Sequence, residues 1–308
     1  MTWKISSVLL FLLIASCKKD IPTELDFVTE NYLIEADELK TLMVQPNIKL
    51  LDFRKEEIYK KGHIKGALNI WRSDIEDSSY PYSGMMASKS QLEALFGKLG
   101  IKTEDTLIVY DDAGLSNAAR LWWLLQNYDF KNVKMLHGGI SSFILDGGQI
   151  SNEVVKSKET VFKFNEAPKM RYYVTKEEVQ ESLINNTVLL DTRTEDEFSG
   201  KIKKNGAAQG GRIPKSIHID WAEAINYNGD MRIKPLEELE LIYSKLNVKK
   251  NDPIIVYCHS GVRSAFTTFV LTQLLDYKNV KNYDGSWTEW SYYNDLPFEN
   301  DSIILIKN

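Results

Sequence analysis

The stretch 254-IIVYCHSGVRSAF-266 has a second copy in the same chain, 107-LIVYDDAGLSNAA-119, at an offset of 147 residues. In each copy four apolar residues run into a short polar loop with a glycine, Gly261 or Gly114, and a helix-like run follows. An unbroken apolar run of this length suits a strand buried on both faces, the kind found in parallel sheets covered by helices. The same offset lays 129-DFKNVKMLHGGISSF-143 over 276-DYKNVKNYDGSWTEW-290, with Phe130/Tyr277 and Phe143/Trp290 aligned. Upstream, 32-YLIEADELK-40 matches 173-YVTKEEVQ-180, 50-LLDFRKEEI-58 matches 189-LLDTRTEDEF-198, and 62-GHIKGALNI-70 matches 211-GRIPKSIHI-219. Between the last two pairs the offset grows from 139 to 149, so the second copy carries about ten extra residues around 199-SGKIKKNGAAQG-210.

A tandem duplication of one domain is the simplest account. Each copy reads as a short helix (35–41; 176–183), an apolar strand ending in Asp-x-Arg (48–54; 188–193) and a short strand (67–70; 216–219). A helix follows (90–99; 235–246), then the continuous apolar strand (107–110; 254–257), a loop and helix, and a last strand (133–136; 280–283). This alternation predicts an α/β fold: two tandem domains, each a mainly parallel sheet flanked by helices. The expected domains span 31–150 and 171–300, with a polar linker at 151–170 wrapped over the surface and a tail at 301–308.

The chain has 308 residues, 43% hydrophobic and 26% charged, which is ordinary globular composition. A net charge of −5 and the lack of a dense basic stripe argue against nucleic acid as a partner. The Lys-rich 201-KIKK-204 reads as a solvated loop. At the N-terminus, in 1-MTWKISSVLLFLLIASCKKD-20, one Lys precedes an apolar run from Ile5 to Ala15 that is too short to span a bilayer, and small residues and Cys17 follow. It reads as a signal peptide over 1–16, and 14-IASC-17 is similar to a bacterial lipobox that would place a lipid on Cys17. A plain signal peptide, or a signal anchor with an incidental cysteine, is the alternative. The lipobox is preferred because Cys17 directly follows the apolar and small-residue run. Residues 17–30 would then be a tether, and the protein would sit in the bacterial cell envelope, on the periplasmic or outer face, touching the membrane through that lipid.

Two cysteines are present, and a lipidated Cys17 leaves Cys258 as a lone thiol in an exported protein. Cys258 stands at the carboxyl end of a buried strand, where open α/β sheets bind ligands. Gly261 permits a tight loop whose N–H groups point inward as an anion-binding nest. The helix N-terminus adds partial positive charge, and Arg263 adds a full one with a fork suited to oxyanions. These features favour thiolate over thiol, and a thiolate in a concave nest is a nucleophile. A purely structural cysteine predicts apolar neighbours, whereas His259, Ser260, Gly261, Val262 and Arg263 follow.

Cys-His-Ser-Gly-Val-Arg-Ser at 258–264, the Asp-x-Arg strand ends at 52–54 and 191–193, 62-GHIKGA-67 and 283-YDGSW-287, in this order and duplicated, resemble the tandem-domain rhodanese family. That family comprises thiosulfate and 3-mercaptopyruvate sulfurtransferases, and the resemblance covers about residues 30–297. It implies an inactive first domain, since Asp111 stands at the cysteine position, and a catalytic Cys258 in the second. It also implies a sulfur relay through a persulfide on Cys258. The donor would be a small anion such as thiosulfate or 3-mercaptopyruvate, the acceptor a thiol or cyanide. No cofactor is needed, no metal is held, and the protein is expected to be a monomer. Arg263 and His259 are expected to bind or steer the donor, beside Ser260, Gly261 and Val262 of the loop. Two departures from the family pattern stand out: the loop matches neither donor class, and Glu195-Asp196-Glu197 lies where tandem members tend to have a substrate-binding arginine. A cysteine phosphatase needs five residues between Cys and Arg, and here there are four. A sulfur carrier of the envelope, accepting a persulfide without efficient turnover, is the non-enzyme alternative. Asp52, Arg54, Asp191 and Arg193 read as structural ion pairs, His63 as a loop hydrogen-bonding group, and Trp122, Trp123 and Trp287 as core or interface.

Overall fold

The computed structural model describes residues 32–301. Two five-stranded sheets, every pairing parallel, form the centres of two α/β domains. The N-terminal sheet runs Leu33–Ile34, Val133–Leu136, Thr106–Tyr110, Ile48–Asp52, Leu68–Asn69. The C-terminal sheet repeats that order with Tyr173–Val174, Val280–Tyr283, Ile254–Tyr257, Val188–Asp191, Ile217–His218. Thus the two stretches that are copies of each other are the middle strands.

Alternation within these strands explains the unbroken apolar runs at 107–110 and 254–257. Leu107 and Val109 face one core, Ile108 and Tyr110 the other. Ile254 and Val256 face the same core as Leu107, while Ile255 and Tyr257 face a third. The inner faces of both sheets therefore share one continuous core, and each sheet has its own outer core. Helices Ser116–Asn127 and Val262–Phe269, which follow the paired loops, pack against each other in the shared layer, with Trp122 edge-on to Phe269 at 5.0 Å.

Each Asp-x-Arg pair starts on the last strand residue, Asp52 or Asp191, and puts its arginine just beyond the strand end. Arg54 forks onto Asp52 (Nε–Oδ1 2.8 Å, Nη2–Oδ2 2.6 Å) and donates to the Gly62 carbonyl at 2.7 Å. Arg193 forks onto Asp191 and donates to the Gly211 carbonyl at 2.8 Å. The expected strands thus stop at Asp52 and Asp191, and the arginines tie strand end to loop. His63 bonds the carbonyls of Tyr59 and Glu153. Residues 152–170 have no regular element, but Phe162 and Phe164 are buried among Phe96, Tyr128 and Phe130. Cys17 and its surroundings lie outside the described residues.

Candidate active site

Cys258 follows directly on the central strand Ile254–Tyr257 and is 1% exposed. The segment after the last strand clamps its loop from below. Ser286 Oγ accepts from Cys258 N (3.2 Å) and Gly261 N (3.0 Å), and donates to Tyr283 O (2.8 Å). Trp287 N donates to the Cys258 carbonyl at 3.1 Å, and Asn282 Nδ2 donates to the Gly261 carbonyl at 3.0 Å. Gly261 has φ +73°, and a Cβ there would lie 2.6 Å from the Asp284 carbonyl, so the turn requires glycine. Helix Val262–Phe269 starts at the next residue.

Burial pushes the Cys258 thiol up, but four other influences outweigh it: the Arg263 charge, the Ser264 hydroxyl, and the N–H groups of Ser264 and Ser260. The net result is a thiol below its ordinary range, the thiolate being the form these groups favour.

The duplicate loop shows what such a nest holds. Asp111 takes the place of Cys258, fully buried, and its Oδ1 accepts from Ala113 N (3.0 Å) and Leu115 N (3.0 Å). Its Oδ2 accepts from Asn117 N (2.8 Å) and Ala118 N (3.1 Å). Four converging N–H groups thus surround one anionic group. At the shared offset they correspond to Ser260, Val262, Ser264 and Ala265 around Cys258. Burial still leaves the Asp111 carboxyl above its ordinary range, against the downward pull of those N–H groups.

Comparison with known proteins matches this pair of loops and sheets to the rhodanese-like domain, once over residues 35–146 and again over 175–292. The chain belongs to the rhodanese-like family. A rhodanese-like protein of Corynebacterium glutamicum, named thiosulfate sulfurtransferase, is 30% identical over 287 residues, covering 87% of this chain and 90% of that one. Relatives from Saccharopolyspora erythraea (34% over 249 residues, 79% of this chain and 86% of that one) and Mycobacterium tuberculosis (33% over 275 residues, 87% and 97%) bear the name "putative thiosulfate sulfurtransferase". Among solved structures, an anaerobic ergothioneine biosynthesis enzyme from Chlorobium limicola superposes with a TM-score of 0.79 at 23% identity, covering 88% of this chain and 70% of that one. That likeness is one of fold.

Around the rhodanese loop, two residues differ from what the sequence suggests. Arg263, expected to grip the donor, is closed by a bidentate pair with Glu197 (Nη1–Oε2 2.6 Å, Nη2–Oε1 2.8 Å). Burial opposes the Glu197 charge, yet Arg263 holds its carboxyl at about 2. The acidic residue at the place where a cation was expected is therefore the partner of the loop arginine. His259 is also buried, with Nε2 on the Asn205 carbonyl at 2.9 Å and Nδ1 without a partner among the described residues. Burial and the nearby Lys204 hold it at about 4, so it is a neutral imidazole and adds no positive charge for a donor. Ser260 and Val262 shape the loop, and Ser260 packs under Gly84 of the other domain.

The first domain also covers this loop. Gly84, at φ +103°, lies so close that a Cβ would sit 2.7 Å from Ser260 Cβ. Tyr82 donates to Glu289 Oε1 (2.7 Å), Thr288 Oγ1 to the Ser83 carbonyl (3.2 Å) and Met86 N to Asp284 Oδ2 (2.9 Å). The second domain reciprocates, with Ile225 and Trp221 against Gly114 and Ile233 N on His137 Nε2 at 3.0 Å. A separate cleft, lined by Arg171, Tyr172, Tyr277 and Lys278 among others, opens where strands Tyr173–Val174 and Val280–Tyr283 begin, away from Cys258. Glu197, Ser264, Ser286 and Asn282 are site residues whose roles the sequence left unassigned. Glu197 carried a signal as an acidic residue after the second Asp-x-Arg, Ser264 and Ser286 lay inside the motifs quoted for the family, and Asn282 carried none.

Proposed function

We propose that the protein is a sulfurtransferase that carries sulfane sulfur as a persulfide on Cys258, from a small anionic donor such as thiosulfate or 3-mercaptopyruvate to cyanide or a thiol. The observation that carries the reading is the nest. A loop whose twin encloses a carboxylate with four N–H groups encloses in this copy a thiol held below its ordinary range. The relatives' names supply the chemical class. In the first step the Cys258 thiolate attacks the outer sulfur of thiosulfate. A Cys258 S–S bond forms, the donor's S–S bond breaks, and its electron pair leaves with sulfite. In the second step cyanide attacks the terminal sulfur, giving thiocyanate and restoring the thiolate. Charge and electrons balance without an outside oxidant, and the loop N–H groups hold the negative charge on the persulfide in both steps. A cysteine phosphatase is disfavoured, because Arg263 is paired with Glu197 and stands one residue too close to the nucleophile.

The decisive assay is steady-state thiocyanate release from thiosulfate and cyanide, with intact-mass detection on wild type and Cys258→Ser. Wild type should turn over and gain the mass of one sulfur atom, and Cys258→Ser should do neither. Activity surviving in Cys258→Ser would sink the proposal. A mass gain without thiocyanate would move the reading to a sulfur carrier. The envelope location belongs to the same proposal: the full chain expressed in bacteria should incorporate labelled palmitate, and Cys17→Ser should not.

A further inference from the structure

A dianionic donor approaching a thiolate needs positive charge that is not already neutralised. Arg263 is paired with Glu197, and Arg120 is paired with Asp284 at 2.5 Å. Two other cations near Cys258 are not paired in this way. Arg72 lies on the one-turn helix Arg72–Asp74 of the N-terminal domain and is half-buried. Its Nε donates to Asn117 Oδ1 at 2.9 Å, and among the described residues it forms no ion pair. Asn117 is itself placed by the plugged nest, since its N–H donates to Asp111, and it stands one turn before Arg120. Arg120 reaches the Gly261 carbonyl at 3.4 Å, so this side of the helix looks onto the Cys258 loop. The second cation, Lys204, is exposed in the ten-residue insert that the first domain lacks, and it also forms no ion pair among the described residues. The insert is docked on the catalytic loop through the Asn205 carbonyl and His259 Nε2.

We propose that Arg72 and Lys204, one from each domain, clamp the anionic end of the sulfur donor over Cys258. The clamp rests on the persulfide relay proposed above. The electrostatics agree with the geometry. Burial pulls the Arg72 guanidinium down, while negative charge on Cys258 and Glu76 pushes it up and Arg120 and Arg263 pull it down. Burial and Arg263 pull the Lys204 ammonium down, while Glu197 and Cys258 hold it up. Both cations therefore sense the charge on the sulfur. Burial raises the carboxyl of Glu76, near Arg72, above its ordinary range against the pull of Arg120 and Arg72. The clamp also gives the first domain, with Asp111 in place of a cysteine, a part in the chemistry. Its carboxylate-filled loop fixes Asn117, and Asn117 aims Arg72 at the nucleophile of the second domain. The acidic Glu195-Asp196-Glu197 is accounted for as well, because the donor's counter-charge comes from elsewhere.

The test compares alkylation of Cys258 by anionic iodoacetate and by neutral iodoacetamide in the full chain, alongside thiosulfate kinetics. In Arg72→Gln and in Lys204→Gln the iodoacetate rate should fall about tenfold, as expected for losing one nearby charge, with the iodoacetamide rate little changed. Thiosulfate KM should rise by a similar factor with kcat nearly kept, and Arg72→Lys should recover most of the loss. Equal changes with both reagents, or none with either, would overturn the clamp. A wild type inert to thiosulfate would count against the relay alone, and the alkylation ratio would still decide the clamp. Lys204, on an exposed loop, keeps the test open should Arg72→Gln disturb folding.

Discussion

At the scale of single residues, Asp111 explains why one duplicated loop keeps a thiol and the other does not. Both loops present converging N–H groups, and an empty nest would leave them buried without acceptors. Each such orphan costs about 1–3 kcal/mol. The carboxylate of Asp111 satisfies four at distances of 2.8–3.1 Å. Asp111→Ala should therefore destabilise the protein by more than about 3 kcal/mol and open an anion site in the first domain. Because a ligand that binds the folded state alone raises its stability, sulfate should raise the Tm of Asp111→Ala more than that of wild type. An identical sulfate response in the two proteins, read by differential scanning calorimetry, would show that the loop is no nest. The sequence already disclosed the Asp111/Cys258 exchange, since a constant offset aligns them. It could not disclose that Arg263 is spoken for, because Glu197 is 66 residues away and the two meet through tertiary packing.

Among the elements, the two central strands were legible because residues 107–110 and 254–257 are unbroken apolar runs long enough to show it. Strands Leu33–Ile34 and Tyr173–Val174 were not, since two residues carry no periodicity and their places are fixed by pairing at the sheet edge. Helices Gly139–Leu145 and Ser286–Tyr292 also escaped the sequence. Left-handed residues open both, Gly138 and Gly139 in one and Ser286 in the other, so neither has an ordinary start signal. The short helix Glu195–Phe198 bears most directly on the site. Thr194 caps it by accepting from Glu197 N at 3.4 Å, and Glu197 Oε2 accepts from Thr194 N at 3.4 Å while gripping Arg263. Four residues of helix are too few to persist alone, so this element is held by its cap and by the buried ion pair. The folded-state pKa of Glu197, about 2, is depressed from an ordinary 4.5. Its contribution is thus present above about pH 4.5 and is lost as pH falls toward about 2, amounting to up to about 3 kcal/mol. Urea denaturation of wild type should show that acid limb. Glu197→Gln should be less stable near neutral pH and lose less on acidification. A variant with the same slope as wild type would place the acid sensitivity elsewhere.

For the whole molecule, the question is whether two domains behave as two units. Interfaces between domains are commonly modest and polar, which permits independent motion. Here the inner faces of both sheets enter one apolar core, from Leu107 and Val109 through Trp122 and Phe269 to Ile254 and Val256. Across the same boundary Arg120 and Asp284 form an ion pair with side chains 2% and 1% exposed, and Arg120 also donates to the Gly261 carbonyl at 3.4 Å. Each domain covers the other's nest, with Gly84 against Ser260 and Ile225 and Trp221 against Gly114. The tandem repeat was visible in the sequence, but this mutual coverage was not, because the contacts join segments with no shared motif, such as Gly84 and Ser260. Cooperative unfolding follows. Calorimetry should give one transition whose van't Hoff enthalpy equals the calorimetric enthalpy, although the chain is longer than most two-state proteins. Arg120→Ala leaves Asp284 buried and unpaired, a change worth about 3–5 kcal/mol, and should move that single transition down without splitting it. Two resolved transitions in wild type would mean that the domains fold independently. Arg72 would then belong to a surface able to part from Cys258, and saturating thiosulfate should draw the two transitions together by binding both domains at once.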